Sequence, residues 1–271
     1  MRTAIELMDG INRAAWRARD SVKWFIALEG WTDPGECVAT EFAAMTARDQ
    51  PILDLGVGGG RSVPILRKIS QNYTALDYTP ELVDACRKKY PDARVLHGDA
   101  RNLSEFPEAA FGLVVFSFNG IDAMNPADRM KVLREVHRVL RPGGQFLFSS
   151  HNQGGPGHRE LLNFGLSLTR RPLAMAARLV RVVWYSAQTL FNYWRYSRLN
   201  YQADGFSIMN AAAHHHGIVI HYIRLDTQLE QLAAAGFSPN PAVFGSQDGE
   251  RVTVGGDSSR HMWLHFVAKK A

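Results

Sequence analysis

Short apolar runs alternate with longer segments of helical period between residues 50 and 152. The apolar runs are ILDL, TALD, RVLH, LVVF and QFLFSS, and each is short enough to be a buried strand. Segments 80–90 and 126–140 repeat apolar residues every three or four positions, which is typical of amphipathic helices. Strands that alternate with helices predict an α/β fold with a doubly wound, mostly parallel sheet.

Polar residues and glycines follow the predicted strands at the points where those strands end. They are the glycines of segment 56–60, Asp77, Asp99 and segment 117–122. In an open parallel sheet, ligands bind beyond the carboxyl ends of the strands, so these four stretches should form one site. The glycines would let the backbone adopt positive φ and lie directly against a ligand.

The glycine-rich turn does not match two common nucleotide-binding patterns. A dinucleotide fingerprint that starts at Gly56 and Gly58 requires a third glycine where Arg61 stands. A phosphate-binding loop of the nucleoside triphosphatase type requires a lysine followed by serine or threonine, and no such pair follows the glycines. A different cofactor is therefore expected at this turn.

The series of motifs resembles the S-adenosylmethionine-dependent methyltransferases of the Rossmann-like superfamily. The matching segments are DLGVGGG, ALDYTPELV, HGDARNL, FSFNGID and EVHRVLRPGGQFLFSSHN, in that order across residues 50–152. The resemblance implies a seven-stranded sheet with helices on both faces, closed by an antiparallel hairpin, with a helical lid insertion. It also implies S-adenosyl-L-methionine as the cofactor and transfer of a methyl group as the reaction.

The resemblance further implies roles for the residues of the first motif. Gly56, Gly58 and Gly60 would close the backbone around the methionine part of the cofactor. Asp54 would anchor the turn or bridge to the cationic amino group of the cofactor. The alternative for Asp54, and equally for Asp99, is that the side chain only caps a loop.

The later motifs would contact the nucleoside and the sulfonium. Asp77 would accept hydrogen bonds from both ribose hydroxyls, and Tyr78 would lie against the adenine. Asp99 and the backbone of Ala100 would meet the amino edge of the adenine. The floor beneath the sulfonium and the methyl acceptor would be built from the fourth motif, by Phe116, Ser117 and Asn119.

Histidines are the candidate general bases, because imidazole accepts a proton near neutral pH. His151 directly follows the fifth predicted strand and should face the site, although it could instead cap the loop. One residue of the triplet 214–216 could also reach the methyl acceptor, and His216 is the candidate; His221 lies nearby in sequence. A metal site is not expected, because adjacent side chains diverge and no acid lies between Asp204 and Asp226.

A basic and aromatic segment interrupts the fold after the fifth strand. Residues 157–201 contain seven arginines and a single acid, Glu160, whereas the formal net charge of the whole chain is +5. The pattern across 173–199 predicts one or two amphipathic helices that form a lid over the substrate side. Such a lid could contact an anionic membrane surface, bind an acidic substrate, or only present solvated arginines.

Composition and charge place the chain among globular proteins, with 271 residues, 46% hydrophobic and 21% charged. The N-terminal residues are interrupted by charges, so we expect a cytoplasmic protein. The expected divisions are an N-terminal helical cover (1–48), the cofactor-binding core (49–152), the lid (153–216) and the completion of the core (217–271). No nucleic-acid partner is favoured.

These features predict methylation of an oxygen or nitrogen of a small molecule, such as a specialised metabolite, a sugar or a lipid-like compound. The alternatives are a methyltransferase of RNA or of a membrane-associated lipid or quinone, and a protein that binds S-adenosylmethionine without transferring its methyl group.

Overall fold

A computed structural model describes the backbone of residues 4–159, 172–253 and 255–271. The strands are β1 (Ile52–Leu55), β2 (Tyr73–Asp77), β3 (Arg94–His97), β4 (Phe111–Phe116), β5 (Leu140–His151), β6 (Tyr201–Ala203), β7 (Phe206–Ala211), β8 (Ile218–Ile223), β9 (Ala242–Gly245) and β10 (Trp263–Lys269). The helices are α1 (Ala4–Arg17), α2 (Arg19–Ala27), α3 (Pro34–Ala47), α4 (Val63–Leu66), α5 (Pro80–Lys89), α6 (Pro126–Val139), α7 (Pro172–Tyr196), α8 (Ala213–His216) and α9 (Leu225–Ala234).

Seven of these strands form the large sheet, in the order β3-β2-β1-β4-β5-β10-β9. Only β10 runs antiparallel to its neighbours, β5 and β9, so the predicted mostly parallel, seven-stranded sheet is confirmed. The strands β1, β2 and β4 are buried at every position, because helices cover both faces. Helices α3 and α5 pack on one face, and α6 and α9 pack on the other.

The strand order reverses between β1 and β4, which are hydrogen-bonded neighbours. The chain leaves β1 toward β2 on one side and later returns to β4 on the other side. The connecting loops therefore separate above this pair and leave a crevice at the carboxyl ends of the strands. This crevice is where the sequence predicted the ligand site.

A second, three-stranded antiparallel sheet has the order β6-β7-β8. It packs against α1, with Met8, Ile208 and Val219 at the centre of the contact. The sequence placed residues 217–223 in the completion of the core, but β8 pairs with β7 and is joined to the residue after β5 by an isolated bridge, Asn152 to Ile223. The alternating apolar run IVIHYI suits either sheet, which is why its pattern did not identify the right one.

Helix α7 spans 25 residues and lies within the segment for which the sequence predicts one or two amphipathic helices. Residues 160–171, which include Glu160, Arg170 and Arg171 of the predicted lid, lie outside the described residues. Within the part of the chain that the structure describes, no helix has the length and apolar character needed to cross a membrane.

Candidate functional site

A cavity of about 990 Å³ lies beyond the carboxyl ends of β1, β2 and β4. Its floor is made by the loops that follow the strands. Helices α1 and α2 line one part of the cavity wall, and α7, α8 and the small sheet line another part. We call α1 and α2 the cover and α7 and α8 the lid. Both the cover and the lid line the same crevice.

The glycine turn, residues 56–60, forms the part of the floor after β1. Gly56 and Gly58 have φ of 66° and 56°, in the left-handed region that only glycine adopts without strain. A Cβ atom at Gly56 would lie 2.8 Å from the ring of Phe116, so a larger residue would also collide there. Gly60 does not line the cavity; it lies behind the turn, where a Cβ atom would lie 2.5 Å from the ring of Tyr90.

Asp77 lies at the end of β2 and lines the cavity. Its Oδ2 accepts a hydrogen bond from the backbone N–H of Gly58, and its Oδ1 accepts one from Thr79, each at 2.8 Å. Burial raises the pKa of Asp77, and these two hydrogen bonds oppose the rise. Each carboxylate oxygen has a second lone pair, so the group can accept two further bonds from a vicinal diol such as a ribose.

Aromatic and basic side chains flank Asp77. Tyr78 lines the cavity and packs edge-to-face against Trp16 of α1, with ring centroids 5.7 Å apart. The guanidinium of Arg13 lies 4.3 Å from the centre of the Tyr78 ring. These groups could hold a flat heteroaromatic ring beside the ribose.

Asp54 is fully buried and does not line the cavity. Its Oδ2 accepts hydrogen bonds from Ser62 (2.5 Å) and Tyr73 (2.6 Å), which lie below the glycine turn. Burial raises the pKa of Asp54 to about 6 despite these bonds. Of its two predicted roles, this position suits the anchoring of the turn.

Asp99 lines the cavity but is already engaged in an ionic network. Arg101 and Arg13 lie 2.6 and 2.7 Å from its Oδ2. Burial alone would raise the pKa of Asp99, but these arginines together hold it at about 2. Ala100 also lines the cavity, so its backbone is available for the predicted contact with adenine. Neither arginine was identified from the sequence, because Arg13 lies outside the motifs and Arg101, although it lies within HGDARNL, was given no role there.

Arg61, which broke the dinucleotide pattern, ties three parts of the site together. It is buried and donates to both carboxylate oxygens of Glu36 in α3, at 2.8 and 2.7 Å. It also donates to Oγ of Ser117 (2.7 Å), in the loop after β4. Its guanidinium lies 5.1 Å from the centre of the Phe118 ring. The predicted floor residues Phe116, Ser117 and Asn119 all line the cavity.

His151 lines the cavity and is paired with a buried carboxylate. Its Nδ1 lies 2.8 Å from Oδ2 of Asp122, which also accepts the backbone N–H of His151. Asp122 is fully buried, and its Oδ1 accepts hydrogen bonds from Ser150 and Arg129. Burial alone would raise the pKa of Asp122, but the charge of Arg129 and the bonds from His151 and Ser150 lower it, so the carboxylate stays ionised.

The histidine triplet lies in α8, which is a left-handed turn. The φ angles of His214, His215 and His216 are 52°, 55° and 57°. All three residues line the cavity; His214 contacts α2, whereas His215 and His216 contact α7. His221 is fully buried on β8 and does not line the cavity, so it does not reach the site. Among the described residues, no group of three or more His, Cys, Asp or Glu side chains is arranged to hold a metal ion.

A doubly wound sheet, with a glycine turn after its first strand and an acid at the end of its second, defines a Rossmann-like cofactor-binding domain.

Residues 52–144 match a family model described as a methyltransferase domain. An uncharacterized methyltransferase of Synechocystis is 35% identical over 97 residues, which are 36% of this chain and 45% of that protein. A demethylmenaquinone methyltransferase of Lysinibacillus sphaericus is 34% identical over 93 residues, or 33% of this chain and 38% of that protein. The chain spans less than half the length of these relatives.

Solved structures share the fold over most of the chain. A didemethyltoxoflavin N1-methyltransferase of Burkholderia thailandensis, solved with its acceptor and S-adenosylhomocysteine, superposes with a TM-score of 0.59 and 15% identity, covering 100% of this chain and 92% of that one. An S-adenosylmethionine-dependent methyltransferase of Mesorhizobium loti gives a TM-score of 0.55 at 20% identity, covering 87% and 98%. These structures show that the chain has the fold of Rossmann-like S-adenosylmethionine-dependent methyltransferases, and residues 52–144 match the methyltransferase domain.

Proposed function

We propose that the protein transfers the methyl group of S-adenosylmethionine to an oxygen or nitrogen atom of a small, largely apolar molecule. The observation that carries this proposal is the continuity of the cavity. One continuous cavity runs from the glycine turn and Asp77, past His151, to the aromatic side chains of the cover and the lid. A cofactor and a small acceptor can therefore lie in it together, shielded from water.

The floor residues hold the cofactor in this proposal. Asp77 accepts hydrogen bonds from the ribose hydroxyls, Tyr78 packs on the adenine, and the bare backbone of Gly56 and Gly58 allows the methionine part to approach closely. When bound, S-adenosylmethionine supplies an electrophilic methyl group, whose bond to sulfur breaks as the lone pair of the acceptor forms the new bond.

His151 acts as the general base. Since its Nδ1 donates to Asp122, its Nε2 carries a lone pair, and the side chain is 20% exposed toward the cavity. Nε2 accepts the proton that the acceptor hydroxyl or amine loses. The buried carboxylate of Asp122 stabilises the resulting imidazolium and fixes the orientation of the ring, so Asp122 is a positioning residue. Arg129, which is fully buried beside Asp122, keeps that carboxylate ionised.

The acceptor is largely uncharged because the cavity offers no free counter-charge among its described residues. The arginines that line it, Arg13, Arg61 and Arg101, are each paired with carboxylates of the protein. The remaining acceptor side is formed by aromatic and apolar groups such as Trp24, Tyr222 and Trp263. The demethylmenaquinone methyltransferases among the relatives also favour an apolar acceptor.

The test combines cofactor binding with turnover. Calorimetric titration with S-adenosylmethionine, S-adenosylhomocysteine and NADH should give binding of the first two only. A panel of phenols, alcohols and amines is then screened by mass for the gain of one methyl group. Methyl transfer to no acceptor would favour the non-catalytic alternative, and binding of NADH alone would overturn the proposal.

The role of His151 is tested with the variants His151→Gln and Asp122→Asn. Loss of the base should lower kcat by about 10²–10⁴-fold and leave cofactor affinity within about twofold. The matched control is His137→Gln on α6, because the His137 side chain contacts the backbone of Gly236 and does not line the cavity. Equal losses of affinity and turnover in His151→Gln would mean that the histidine is only structural.

A further inference from the structure

Helix α7 exposes a continuous row of large apolar side chains, which we call the α7 stripe. Its members are between 49% and 71% exposed and are Val180, Val183, Trp184, Leu190, Phe191 and Trp194. Their spacing of three, four and seven positions places them on one face of the helix. Contiguous exposed apolar patches of this kind mark surfaces that contact a partner or a membrane.

The stripe is distinct from the face that α7 turns toward the cavity. That inner face contributes Val182, Tyr185, Ser186 and Thr189 to the cavity wall. The helix is thus apolar on the outside although its inner face is already packed. A lid that served only to cover the cavity would be expected to present polar residues to solvent.

Charged and aromatic groups border the stripe. Arg195 and Arg198 are exposed at the carboxyl end of this segment, and the guanidinium of Arg198 lies 4.3 Å from the centre of the Trp194 ring. Tyr193 and Tyr201 are also exposed there. Residues 157–201 carry seven arginines and one acid. Apolar and aromatic side chains bordered by arginines are typical of helices that lie in the interface of an anionic bilayer.

We propose that the α7 stripe docks on the surface of an anionic lipid bilayer, with the helix parallel to the membrane plane. The apolar side chains would enter the headgroup region, while Arg195 and Arg198 would contact lipid phosphates. The reason for such docking rests on the proposed function. Docking would bring the cavity wall to the membrane, where an apolar, lipid-like methyl acceptor resides.

The chemistry of the α7 stripe and its border favours an anionic bilayer over two other partners, a second copy of this chain and a nucleic acid. A symmetric contact between two copies would bring the arginine-rich segments close together, and like charges repel. A nucleic acid would match the arginines, but the aliphatic members Val180, Val183 and Leu190 offer no donor to phosphates or bases. An anionic bilayer satisfies both the apolar and the basic groups.

The experiment is co-sedimentation of the full chain with vesicles of phosphatidylcholine, with and without phosphatidylglycerol, in the absence of cofactor and acceptor. The wild-type protein should bind the anionic vesicles and be released by salt. Trp184→Ser combined with Trp194→Ser should weaken binding by roughly tenfold or more. Arg195→Gln combined with Arg198→Gln should weaken it by roughly fivefold for each charge, on anionic vesicles only.

Matched control variants test whether the loss of any exposed apolar or basic side chain, and not only one in or beside the α7 stripe, weakens vesicle binding. Met45→Ser removes an apolar side chain that is 70% exposed on α3, away from the stripe. Arg48→Gln combined with Arg134→Gln removes two exposed arginines elsewhere. These variants should bind vesicles like the wild type. Circular dichroism verifies that every variant is folded, which is expected because each substitution is at the surface.

Three outcomes would overturn the proposal. The first is a wild-type protein that does not bind anionic vesicles, and the second is binding that the stripe variants leave unchanged. The third is a dimer in sedimentation velocity that only the stripe variants dissociate, which would assign the stripe to a second copy. Vesicle binding without any methyl transfer would leave the docking intact and count against the proposed function alone.

Discussion

Two turns face the same cavity with left-handed backbone, and they are built from opposite kinds of residue. In the glycine turn, Gly56 and Gly58 adopt φ of 66° and 56°. In the histidine turn, His214, His215 and His216 adopt φ of 52°, 55° and 57°. Glycine populates this region freely, whereas an L-residue with a side chain is destabilised there by about 1–2 kcal/mol. The second turn therefore needs stabilising contacts that the first does not.

Those contacts come from both walls of the cavity. Nδ1 of His214 lies 2.8 Å from Oγ of Ser21 in α2. The ring of His215 stacks on Tyr185 of α7 with centroids 4.3 Å apart, and Asn192 donates to its carbonyl at 3.0 Å. The difference teaches that the glycine turn is formed by local backbone freedom, whereas the histidine turn is held by the cover and the lid together.

The largest expected effect concerns Asp54, the buried carboxyl group that supports the glycine turn, and its contribution to the free energy of unfolding. The pKa of Asp54 is raised from its ordinary value of 3.8 to about 6, so the folded protein binds this proton more tightly than the unfolded chain. This contribution to stability is fully present below about pH 4 and is lost as the pH rises through about 6. A shift of this size corresponds to about 3 kcal/mol.

Asp54→Asn should remove that pH dependence. We expect the difference in free energy of unfolding between wild type and variant, measured by urea denaturation, to change by about 3 kcal/mol across this window. Asp99→Asn is the control with the opposite sign, because its pKa is lowered to about 2 and its contribution is lost as the pH falls. Parallel curves for wild type and Asp54→Asn would mean that the carboxylate is not buried under the turn.

Substitution within the glycine turn should come next in size. Gly56→Ala would force a side chain into positive φ and place its Cβ 2.8 Å from the Phe116 ring. We expect the free energy of unfolding to fall by about 2–3 kcal/mol. Gly10→Ala, in α1 with no atom within 4 Å of the added Cβ, should keep or slightly raise stability. Equal behaviour of the two variants would contradict the left-handed turn.

The contact between the glycine turn and Asp77 predicts an effect on binding. Asp77→Ala would remove the acceptor of the Gly58 N–H and, under the proposed function, the acceptor of the ribose hydroxyls. We expect affinity for S-adenosylhomocysteine, measured by calorimetry, to weaken by about 1–3 kcal/mol. Unchanged affinity would remove Asp77 from the site.

The sequence predicted the conformation of the glycine turn, whereas for the histidine triplet it predicted only that one residue, His216, could reach the site. Glycines and strand-terminal acids carry their conformational and chemical meaning locally, so Gly56, Asp77 and the large sheet could be identified from motifs and periodicity. The partner of His151 could not be identified, because Asp122 lies 29 residues away and only the fold brings them together.

The left-handed conformation of the histidines was equally invisible in the sequence. The residues are adjacent in the chain, but the groups that hold them come from α2, α7 and β7. The small sheet was missed for a related reason, since an alternating apolar strand does not specify its partner. Motifs thus revealed the part of the cavity around the glycine turn, whereas long-range packing determined the part around the histidine turn.

The smallest expected effect concerns the strained backbone of the histidine turn. The test is the sign of the difference in free energy of unfolding between a glycine and an alanine variant. His215→Gly and His215→Ala both lose the stacking on Tyr185, but only glycine also relieves the positive φ. We therefore expect the glycine variant to unfold with a free energy about 1 kcal/mol higher than the alanine variant. At Ala14, an exposed residue of the right-handed helix α1, replacement by glycine should instead lower the free energy of unfolding by about 1 kcal/mol. If alanine were the more stable residue at both positions, the histidine turn would be an ordinary helical turn, and the cover and the lid would not be holding a strained backbone over the cavity.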